Sequence, residues 1–488
     1  MQTKAVLSKS TYIKGLQCPK ALYLHKHHYK LKDPIPKETQ ALFNRGHDIG
    51  KLAQKLFPNG IDVSPKSPKE YAGAVIKTQE LIQQNYPVIY EAAFIANHTL
   101  IYLDILVCKG DYYEAYEVKS SLKISGTYIE DAALQLHVLK ASGINVKTIN
   151  LITINGEYRL EDSFDIINYF KITDVTDRCA AKEEEIKERI QKLVDVVNQP
   201  LIPQVNVGTR CEIPYSCDFK GTCWKNIPTP SIFHLNNMPN DELKKLEEQG
   251  ISQINQIINY TSWPKESKII LDSILKNQLF IDKPALDSFF SKVQFPLLLI
   301  DIETYQPVIP KIKGEQAFQS KAFAFSYIVL KNKVEIIEQN TLISEGSQHD
   351  EKELANSLAA LLAKYNTVMV YDAGSERKLI HTMLTLVDQT DIYKNLTIID
   401  LRESFEKFYF HHPKQFGSIS LKNVAHAICP KINYDTLLIK NGRQAMNAYE
   451  DYLICNDLFK RMEIKQELIN YSEMDVKALM EILRVLND

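Results

Sequence analysis

Residues 100–119 constrain the fold more than any other stretch of the 488-residue chain. Two short runs rich in β-branched and aromatic residues flank a Lys-Gly-Asp sequence at 109–111, a pattern that predicts a β-hairpin. Asp104 lies in the first predicted strand. Glu117 and Lys119 lie two positions apart in the second, so we expect their side chains to project from the same face of the sheet.

The three charged side chains of this hairpin have the chemistry of a metal site. Two carboxylates supply the hard oxygen ligands that magnesium prefers, and an ammonium can polarise a water or offset charge on a phosphate. An exposed ion pair on an amphipathic hairpin is the alternative interpretation. An Asp, twelve residues and then Glu-X-Lys resembles the active site of the PD-(D/E)XK nucleases, in particular the RecB-like branch. The resemblance implies that Asp104 and Glu117 bind metal and that Lys119 is catalytic.

The elements predicted around the hairpin occur in the order that this nuclease core requires: helix, three strands, helix, strand. The sequence pattern predicts a helix at 68–85, a strand at 88–94, a helix from about 128 to 142 and a strand at 146–155. This order favours the metal site over the exposed ion pair.

The same resemblance implies roles for two more residues, and strand position makes Glu91 a further candidate. In RecB-like nucleases with an iron–sulfur cluster, a His in a Gly-His helix similar to that of His47 reaches the catalytic metal, although a lone helical His is usually structural. The RecB-like branch also places a Gln in the helix after its Glu-X-Lys strand, here Gln135, to orient substrate or metal. Glu91 lies one strand away from Asp104 and is either a ligand, a neighbour of the ligands or an edge-strand charge.

Eight cysteines in a chain without an apolar leader argue for metal or cluster chemistry over disulfides. Cys211, Cys217 and Cys223 follow one another at six-residue steps, and Cys18 precedes the predicted core. One Cys before the core and three after it resembles the iron–sulfur nucleases of the AddB and CRISPR-adaptation type, which implies a structural 4Fe-4S cluster that clamps the two ends of the domain. Structural Zn²⁺ held by the same four thiolates is the alternative, because the six-residue steps depart from the tighter pairs common to both kinds of site.

Composition restricts the partners only weakly. The net charge of −2 gives no global nucleic-acid signature, but residues 1–60 hold eleven Lys or Arg against three Asp or Glu. A basic face that follows a phosphate backbone and an ordinary solvated surface both explain this excess. The sequence has no apolar run of membrane-spanning length, so we expect a cytoplasmic protein without a membrane partner.

A second pair of carboxylates begins another segment after residue 295. An apolar run ends in Asp301-Ile-Glu303, and burying two carboxylates on one strand face is costly without cations. Strands at 322–330 and 334–343, a helix at 350–365 and a strand at 367–371 are predicted next. This order resembles the DnaQ-like exonucleases of RNase H-like fold, and the resemblance covers 295–488.

Two further motifs of the DnaQ-like enzymes have counterparts here. Glu376 stands where the second motif has its acid, and Asp372 where it has Asn. Since Glu in place of Asp shifts the carboxylate, Asp372 is a second candidate ligand. Tyr471 and Asp475 match the third motif, and a spacing of four places them on one helix face. The resemblance implies that Asp475 completes a two-metal site and that Tyr471 orients the attacking water.

A loop between these motifs has the composition of a single-strand binding surface. Aromatic residues precede the sequence Gly-Ser-Ile-Ser-Leu-Lys at 417–422, and Asp400 ends a predicted strand before them. Stacking and the charge of Lys422 suit a single strand. A plain core with a capped helix is the alternative.

As a whole, the chain resembles a bacterial family that fuses an iron–sulfur RecB-like nuclease to a DnaQ-like exonuclease. The opening at 8–20, the Cys trio, the Asp-Ile-Glu-Thr run and the 417–422 loop carry this likeness. It implies an α/β protein with a PD-(D/E)XK domain closed by a Cys cluster at 1–228, a helical connector at 229–290 and a DnaQ-like 3′–5′ exonuclease domain at 291–488.

The expected function is hydrolysis of DNA phosphodiester bonds by a nuclease that uses Mg²⁺ or Mn²⁺ at two active sites. The DNA would be single-stranded or have a free end, with RNA as a possible substrate because related folds degrade either. Two alternatives remain open. One site is active while the other domain is a substrate-binding scaffold, or the chain is a non-catalytic nucleic-acid-binding protein.

Overall fold

The chain is a mixed α/β protein in a computed structural model that describes residues 7–487. It divides into two compact units. The first comprises the residues up to Asn226 together with Val308–Phe318, and the second comprises Ile227–Pro307 and the residues from Gln319 onward. The segment 229–290, predicted to be a connector, falls within the second unit, and the three-domain organisation stays a prediction. No helix among the described residues is long and apolar enough to cross a membrane.

The first unit is built on one mixed sheet flanked by helices. Its strands are β1 (Leu7–Ser8), β2 (Ile61–Asp62), β3 (Val88–Ala96), β4 (Thr99–Cys108), β5 (Tyr113–Lys119), β6 (Val146–Ile154) and β7 (Phe170–Asp174). Its helices are α1 (Lys9–Gln17), α2 (Pro19–His27), α3 (Lys37–Gln54), α4 (Tyr71–Gln83), α5 (Gly126–Ala141), α6 (Ile166–Tyr169), α7 (Thr176–Ala180), α8 (Glu183–Asn198) and α9 (Lys220–Cys223).

The sheet has the strand order β2-β3-β4-β5-β6-β7, and β1 pairs in parallel with β4. The predicted hairpin is confirmed as β4 and β5, which pair antiparallel on either side of a turn with a positive φ of 87° at Gly110. One face of the sheet packs against α1, α4, α5 and α8. The other face packs against α3 and residues 158–170.

The sheet opens between β4 and β5. Their antiparallel pairing starts at the turn and ends at Ile105 and Tyr116. Beyond that point β4 pairs with β1, while β5 continues beside β6. Asp104 and Glu117 are the first residues past the end of the pairing, so both lie at a fork in the sheet.

Strands β3 and β4 also change faces at this fork. Tyr90 and Ala92 lie two positions apart, which puts two residues on the same face of a regular strand, yet they pack in cores on opposite faces. Between them, Glu91 has a φ of 53°, a left-handed conformation that non-glycine residues rarely adopt. Asp104 lies opposite Glu91 in the register and marks the same reversal in β4. Strained positions of this kind cluster at functional sites.

The second unit has its own five-stranded sheet between two layers of helices, and a separate pair formed by its first and last strands. The strands of the unit are β8 (Phe280–Ile281), β9 (Leu297–Tyr305), β10 (Lys321–Leu330), β11 (Ile336–Ile343), β12 (Thr367–Val370), β13 (Thr397–Asp400) and β14 (Phe410–His411). Its helices are α10 (Asn240–Glu248), α11 (Lys265–Lys276), α12 (Lys283–Phe290), α13 (Gln348–Lys364), α14 (Ala373–Leu386), α15 (Glu403–Glu406), α16 (Leu421–Ile428), α17 (Gly442–Ile454) and α18 (Leu458–Asn487).

This sheet has the order β11-β10-β9-β12-β13, in which β9 pairs antiparallel with β10 and parallel with β12. Helices α12, α16 and α18 cover one face, and α13 and α14 cover the other. The predicted strands and helix between residues 322 and 371 are confirmed, with ends shifted by up to two residues. Because β9 is central, most of its side chains are buried on both faces, although Asp301 is half-buried.

Candidate functional site

The first candidate site lies at the fork of the first sheet. Strand β5 ends in Glu117, which is fully buried, and Lys119. The side chain of Asp104 accepts the backbone N–H of Val118 at 2.6 Å. The carboxylate therefore accepts a hydrogen bond from a backbone N–H just past the last β4–β5 pair. This bond fixes the position of the carboxylate at the fork.

Three side chains donate hydrogen bonds to the carboxylate of Glu117. Its Oε1 atom accepts from Lys119 Nζ at 2.6 Å and from Lys9 Nζ at 2.6 Å. Its Oε2 atom accepts from Gln135 Nε2 at 2.7 Å. Gln135 reaches the strand because the buried helix α5 packs across this face of the sheet.

Asp131 completes the charge arrangement. It lies one helical turn before Gln135 on α5, and its Oδ2 atom accepts from Lys119 Nζ at 2.5 Å and lies 3.6 Å from Lys9 Nζ. Asp131 Oδ1 and Gln135 Oε1 are buried without a hydrogen-bond partner among the described residues. The site thus alternates two ammonium groups with two carboxylates and keeps two spare oxygen acceptors.

The carboxylates at the fork differ in acidity. Burial alone would raise the pKa of Glu117, but the ammonium groups of Lys119 and Lys9 outweigh burial and lower that pKa. Burial and then the charge of Glu117 raise the pKa of Asp104 well above its usual value. Burial and the same charge raise the pKa of Glu91 to about 7. Neutral pH thus leaves Glu117 ionised and favours protons, or a cation in their place, on its two neighbours.

A cavity of about 250 Å³ opens on these carboxylates. Glu91, Asp104 and Glu117 line one wall, and α3 lines the other with Gly46, Gly50 and the exposed side chain of His47. A Cβ atom on either glycine would meet nothing within 4 Å. The structure therefore brings His47, Asp104 and Glu117 to one cavity. Over residues 7–487 their donor atoms do not form a group within 4.8 Å of one another, but oxygen and imidazole donors are the kinds that suit Mg²⁺ or Mn²⁺. Lys119 and Gln135 hold Glu117 from the opposite side.

The four predicted cysteine ligands line a second, smaller cavity of about 20 Å³ in the same unit. Cys18 has an extended backbone between α1 and α2, where Pro19 starts the second helix. Burial raises the pKa of Cys217 to about 11, and the thiols of Cys211 and Cys18 add to the effect. The pKa of Cys223 is raised by burial and by the same two thiols. Mutually destabilised buried thiolates of this kind fit a cationic group placed between them.

Sulfur spacing bears on which group these thiols fit. Four sulfurs on one zinc ion lie about 3.8 Å apart, given a Zn–S bond of about 2.3 Å. Over residues 7–487, no three of these sulfurs lie within 4.8 Å of one another. The four thiols therefore line one cavity without forming a compact group of three sulfurs, and both the four-iron cluster and Zn²⁺ stay predictions.

The second candidate site lies on β9 and α18 of the second unit. Asp301, Glu303 and Asp475 each offer a carboxylate oxygen, and these three oxygens lie within 4.8 Å of one another. Pairing of β9 with β10 shifts register beside Glu303, a bulge of the kind that redirects a side chain. Such close carboxylates repel one another unless protons or cations lie between them.

The acidities of this group reflect the repulsion. Burial, followed by the charge of Asp475, raises the pKa of Asp301 to about 8. Burial and the charges of Asp301 and Asp475 raise the pKa of Glu303 well above its usual value. Burial also raises the pKa of Asp475, although Lys422 and two tyrosine hydroxyls oppose it. The donor set and its charge fit one or two divalent cations.

Tyr471 and Lys422 lie beside these carboxylates. Lys422 Nζ donates to the hydroxyl oxygen of Tyr471 at 2.5 Å and lies 4.2 Å from the centroid of its ring. The hydroxyl of Tyr434 donates to Asp475 Oδ1 at 2.5 Å. Burial and the charge of Asp475 raise the pKa of Tyr471, so its hydroxyl keeps its proton.

Glu376 approaches the group from the first turn of α14. Its side chain is buried, its Oε2 atom has no hydrogen-bond partner among the described residues, and burial and the charge of Asp301 raise its pKa. Within residues 7–487 it does not join the three oxygens that lie within 4.8 Å of one another. Asp372 instead pairs with Arg402 at 2.8 Å, and Asp400 accepts the backbone N–H groups of Asp372 and Ala373 at the start of α14.

Three residues of these sites were not found from the sequence. Lys9 lies 108 positions from Glu117, and no periodicity links the two. Tyr434 starts a short 3₁₀ helix, Tyr434–Thr436, which matches no motif. Asp131, by contrast, precedes Gln135 by four positions, and this helical spacing could have placed it on the same face.

The comparisons with known proteins are few. A family model described as "Domain of unknown function (DUF2779)" matches residues 298–420. The matched segment contains Asp301, Glu303 and Glu376 and ends before Tyr471 and Asp475. No curated protein matches the chain. The chain is therefore similar to that domain over about a quarter of its length, across the strands and helices that present three of the four predicted acidic ligands.

Proposed function

We propose that the chain is a metal-dependent nuclease that hydrolyses DNA phosphodiester bonds. One observation carries the proposal: the carboxylates of the half-buried Asp301 and of the buried Glu303 and Asp475 lie within 4.8 Å of one another. Their pKa values are raised, so the group has an excess of negative charge that divalent cations relieve. Buried clusters of three or four carboxylates are well suited to holding the two metal ions of phosphodiester hydrolysis.

In this proposal the second unit is a DnaQ-like exonuclease domain of RNase H-like fold. Bound Mg²⁺ or Mn²⁺ supplies an activated water and neutralises the departing oxygen. Asp301, Glu303 and Asp475 hold the ions, with Glu376 as the fourth acid. Tyr471 orients the water through its hydroxyl, which remains protonated. The preference for a DNA end follows from the resemblance to DnaQ-like enzymes.

The first unit is a RecB-like PD-(D/E)XK domain in the same proposal. Asp104 and Glu117 hold the metal, and His47 approaches from the α3 wall of the cavity. Lys119 supplies positive charge at the phosphate, and Gln135 orients Glu117 through the bond to Oε2. A 4Fe-4S cluster on Cys18, Cys211, Cys217 and Cys223 fastens the ends of this domain, with Zn²⁺ as the alternative group.

One observation favours a second candidate, in which only the first site cuts DNA. The Asp372 carboxylate pairs with Arg402, and Glu376 lies outside the group of three oxygens. If Glu376 cannot reach the metals, the second unit would bind DNA as a scaffold. The experiment below separates the two candidates.

The test compares the products of full-length variants on end-labelled single-stranded DNA with Mn²⁺, using anaerobically purified protein. Lys119→Ala should remove the products of the first site, and Asp301→Ala those of the second. Lys77→Ala and Asp391→Ala are the matched controls, because each removes a like charge from an exposed ion pair in the same unit. They should leave the product ladder unchanged.

Each outcome decides between the candidates. If the two active-site variants each lose a different part of the ladder, both units are nucleases. If Asp301→Ala leaves the ladder unchanged while Lys119→Ala abolishes it, the second unit is a scaffold. If the wild type leaves DNA intact but binds it, the nuclease proposal fails and the chain is a nucleic-acid-binding protein.

A further inference from the structure

Lys9 enters the first candidate site through the fork in the sheet. Strand β1 occupies the edge of β4 that β5 vacates, and α1 starts at the next residue, which is Lys9. The Ser8 side chain caps this helix, so the backbone at Lys9 is fixed. The Lys9 ammonium thus reaches Glu117 Oε1 at 2.6 Å from a part of the chain far away in sequence.

Lys9 occupies the oxygen that a divalent cation needs. Glu117 Oε1 already accepts from two ammonium groups, and Oε2 accepts from Gln135. A metal ion that binds Oε1 of Glu117 therefore has to replace one ammonium group, because this oxygen has two lone pairs and already accepts from two donors. Two positive charges and a divalent ion around one carboxylate would also repel one another strongly in a buried site.

The two lysines are not equally replaceable. Lys119 Nζ is held by Asp131 Oδ2 at 2.5 Å as well as by Glu117, and its side chain is 16% exposed. Lys9 Nζ lies 3.6 Å from the same Asp131 oxygen, and its side chain is 30% exposed. Lys9 therefore has the weaker second anchor and the easier path to water.

We propose that Lys9 is an exchangeable counter-ion of the first site, bound to Glu117 in the metal-free protein and displaced when a divalent cation binds to Asp104 and Glu117. The inference rests on the proposed metal site at the fork. Lys9 is a positioning residue in this scheme, because it acts through Glu117. Lys9 therefore lowers the apparent affinity of the site for a divalent cation, since binding of the cation has to break the bond between Lys9 and Glu117.

The test measures binding of Mn²⁺ alone to the full-length chain, with the concentration of free Mn²⁺ determined by electron paramagnetic resonance. All variants carry Asp301→Asn and Asp475→Asn, so that the carboxylates of the second unit do not contribute. Lys9→Met should bind Mn²⁺ about tenfold more tightly or better, because a competing charge is gone. Lys119 keeps Glu117 ionised in this variant. Lys9→Arg, which retains the charge, should stay close to the parent.

The sign of the change makes the experiment decisive. A merely structural Lys9 would give weaker Mn²⁺ binding in Lys9→Met, and equal or weaker binding overturns the inference. Lys9→Gln provides a second neutral variant if Lys9→Met folds poorly. Lys77→Met, which removes a lysine from an exposed helical pair, should leave the affinity unchanged. If Asp104→Asn does not weaken Mn²⁺ binding in the parent, the metal site itself is absent, and the failure lies with the proposed function.

Discussion

The two candidate sites use the same acidic residue types but differ in the number of ammonium groups that contact them, and raised carboxylate pKa values occur at both. At the fork of the first sheet, Lys9 and Lys119 lie within 2.6 Å of Glu117 and lower its pKa. On β9 of the second sheet, Asp301 and Glu303 have raised pKa values, with Lys422 as the lysine that opposes the shift. The first site carries its own counter-ions, whereas the second lacks enough of them.

This difference teaches how each site should respond to metal. A cation that enters the first site exchanges with an ammonium group, so the net gain in Coulomb energy is small. A cation that enters the second site replaces protons and relieves direct repulsion between carboxylates. We therefore expect the second site to depend on metal for stability, and the first to depend on its protein framework.

The largest expected effect tests that framework. Cys18→Ser should lower first-site cleavage of single-stranded DNA by more than about a hundredfold, because a structural metal group contributes several kcal/mol to folding. Cleavage by the second site, assayed in a Lys119→Ala background, should persist. Cys108→Ser, which changes a half-buried cysteine outside the small cavity, is the control. If first-site cleavage persists in Cys18→Ser, the predicted structural role of the four cysteines is wrong.

The next effect is stabilisation by metal. Saturating Mn²⁺ should raise the melting temperature of the wild type, equivalent to about 3 kcal/mol at a hundredfold excess over Kd. Asp301→Asn should remove most of this increase and Asp104→Asn the smaller part, as measured by calorimetry with and without chelator. If Asp104→Asn loses more of the Mn²⁺-induced increase in melting temperature than Asp301→Asn does, the first site depends more on metal for stability than the second.

The pH dependence of the metal-free protein gives a smaller effect. Asp301 has a pKa of about 8 in the folded chain and 3.8 as its ordinary value, so between these values only the folded state holds the proton. The free energy of unfolding should then fall by about 2 kcal/mol as pH rises from 6 to 8. Glu117 has the opposite sign: its lowered pKa gives stability that is present at neutral pH and is lost on acidification below its ordinary value.

Denaturant unfolding at several pH values, with chelator present, measures this slope. Asp301→Asn removes one titrating group and should reduce the slope between pH 6 and 8. Glu91, whose pKa in the folded chain is about 7, contributes to the slope that remains. A wild-type curve that rises over this interval would show that the β9 carboxylates are already neutralised by protein groups.

Local patterns were enough to predict the parts of the molecule that depend on short sequence separations. The hairpin of β4 and β5 follows from alternation and from the turn at Gly110, and the buried β9 follows from its apolar run. The helical spacing of Tyr471 and Asp475 holds, since both are buried on α18.

The fork itself had no local signal. It exists because β1, only two residues long, takes the edge of β4, and a strand of that length has no periodicity to detect. The contact between Lys9 and Glu117 follows from that long-range pairing, because α1 starts directly after β1. The position of the Glu376 carboxylate was equally difficult to predict from the sequence, because one methylene decides whether its oxygen joins the group on β9.

The smallest expected effect concerns the two acids at the start of α14. Asp372→Asn should change second-site cleavage by no more than about twofold, because this carboxylate pairs with Arg402 in a half-exposed ion pair worth at most about 1 kcal/mol. Asn also tolerates the left-handed backbone at this position, where φ is 73°. Glu376→Gln, which changes a buried acid beside Asp301, should cost about tenfold or more. Equal losses in the two variants, measured in a Lys119→Ala background, would mean that Asp372 leaves Arg402 to share the metal. Asp372 would then be a mobile metal ligand of the second site. In the metal-free protein it would pair with Arg402, and the shortage of counter-ions at this site would accompany that mobility.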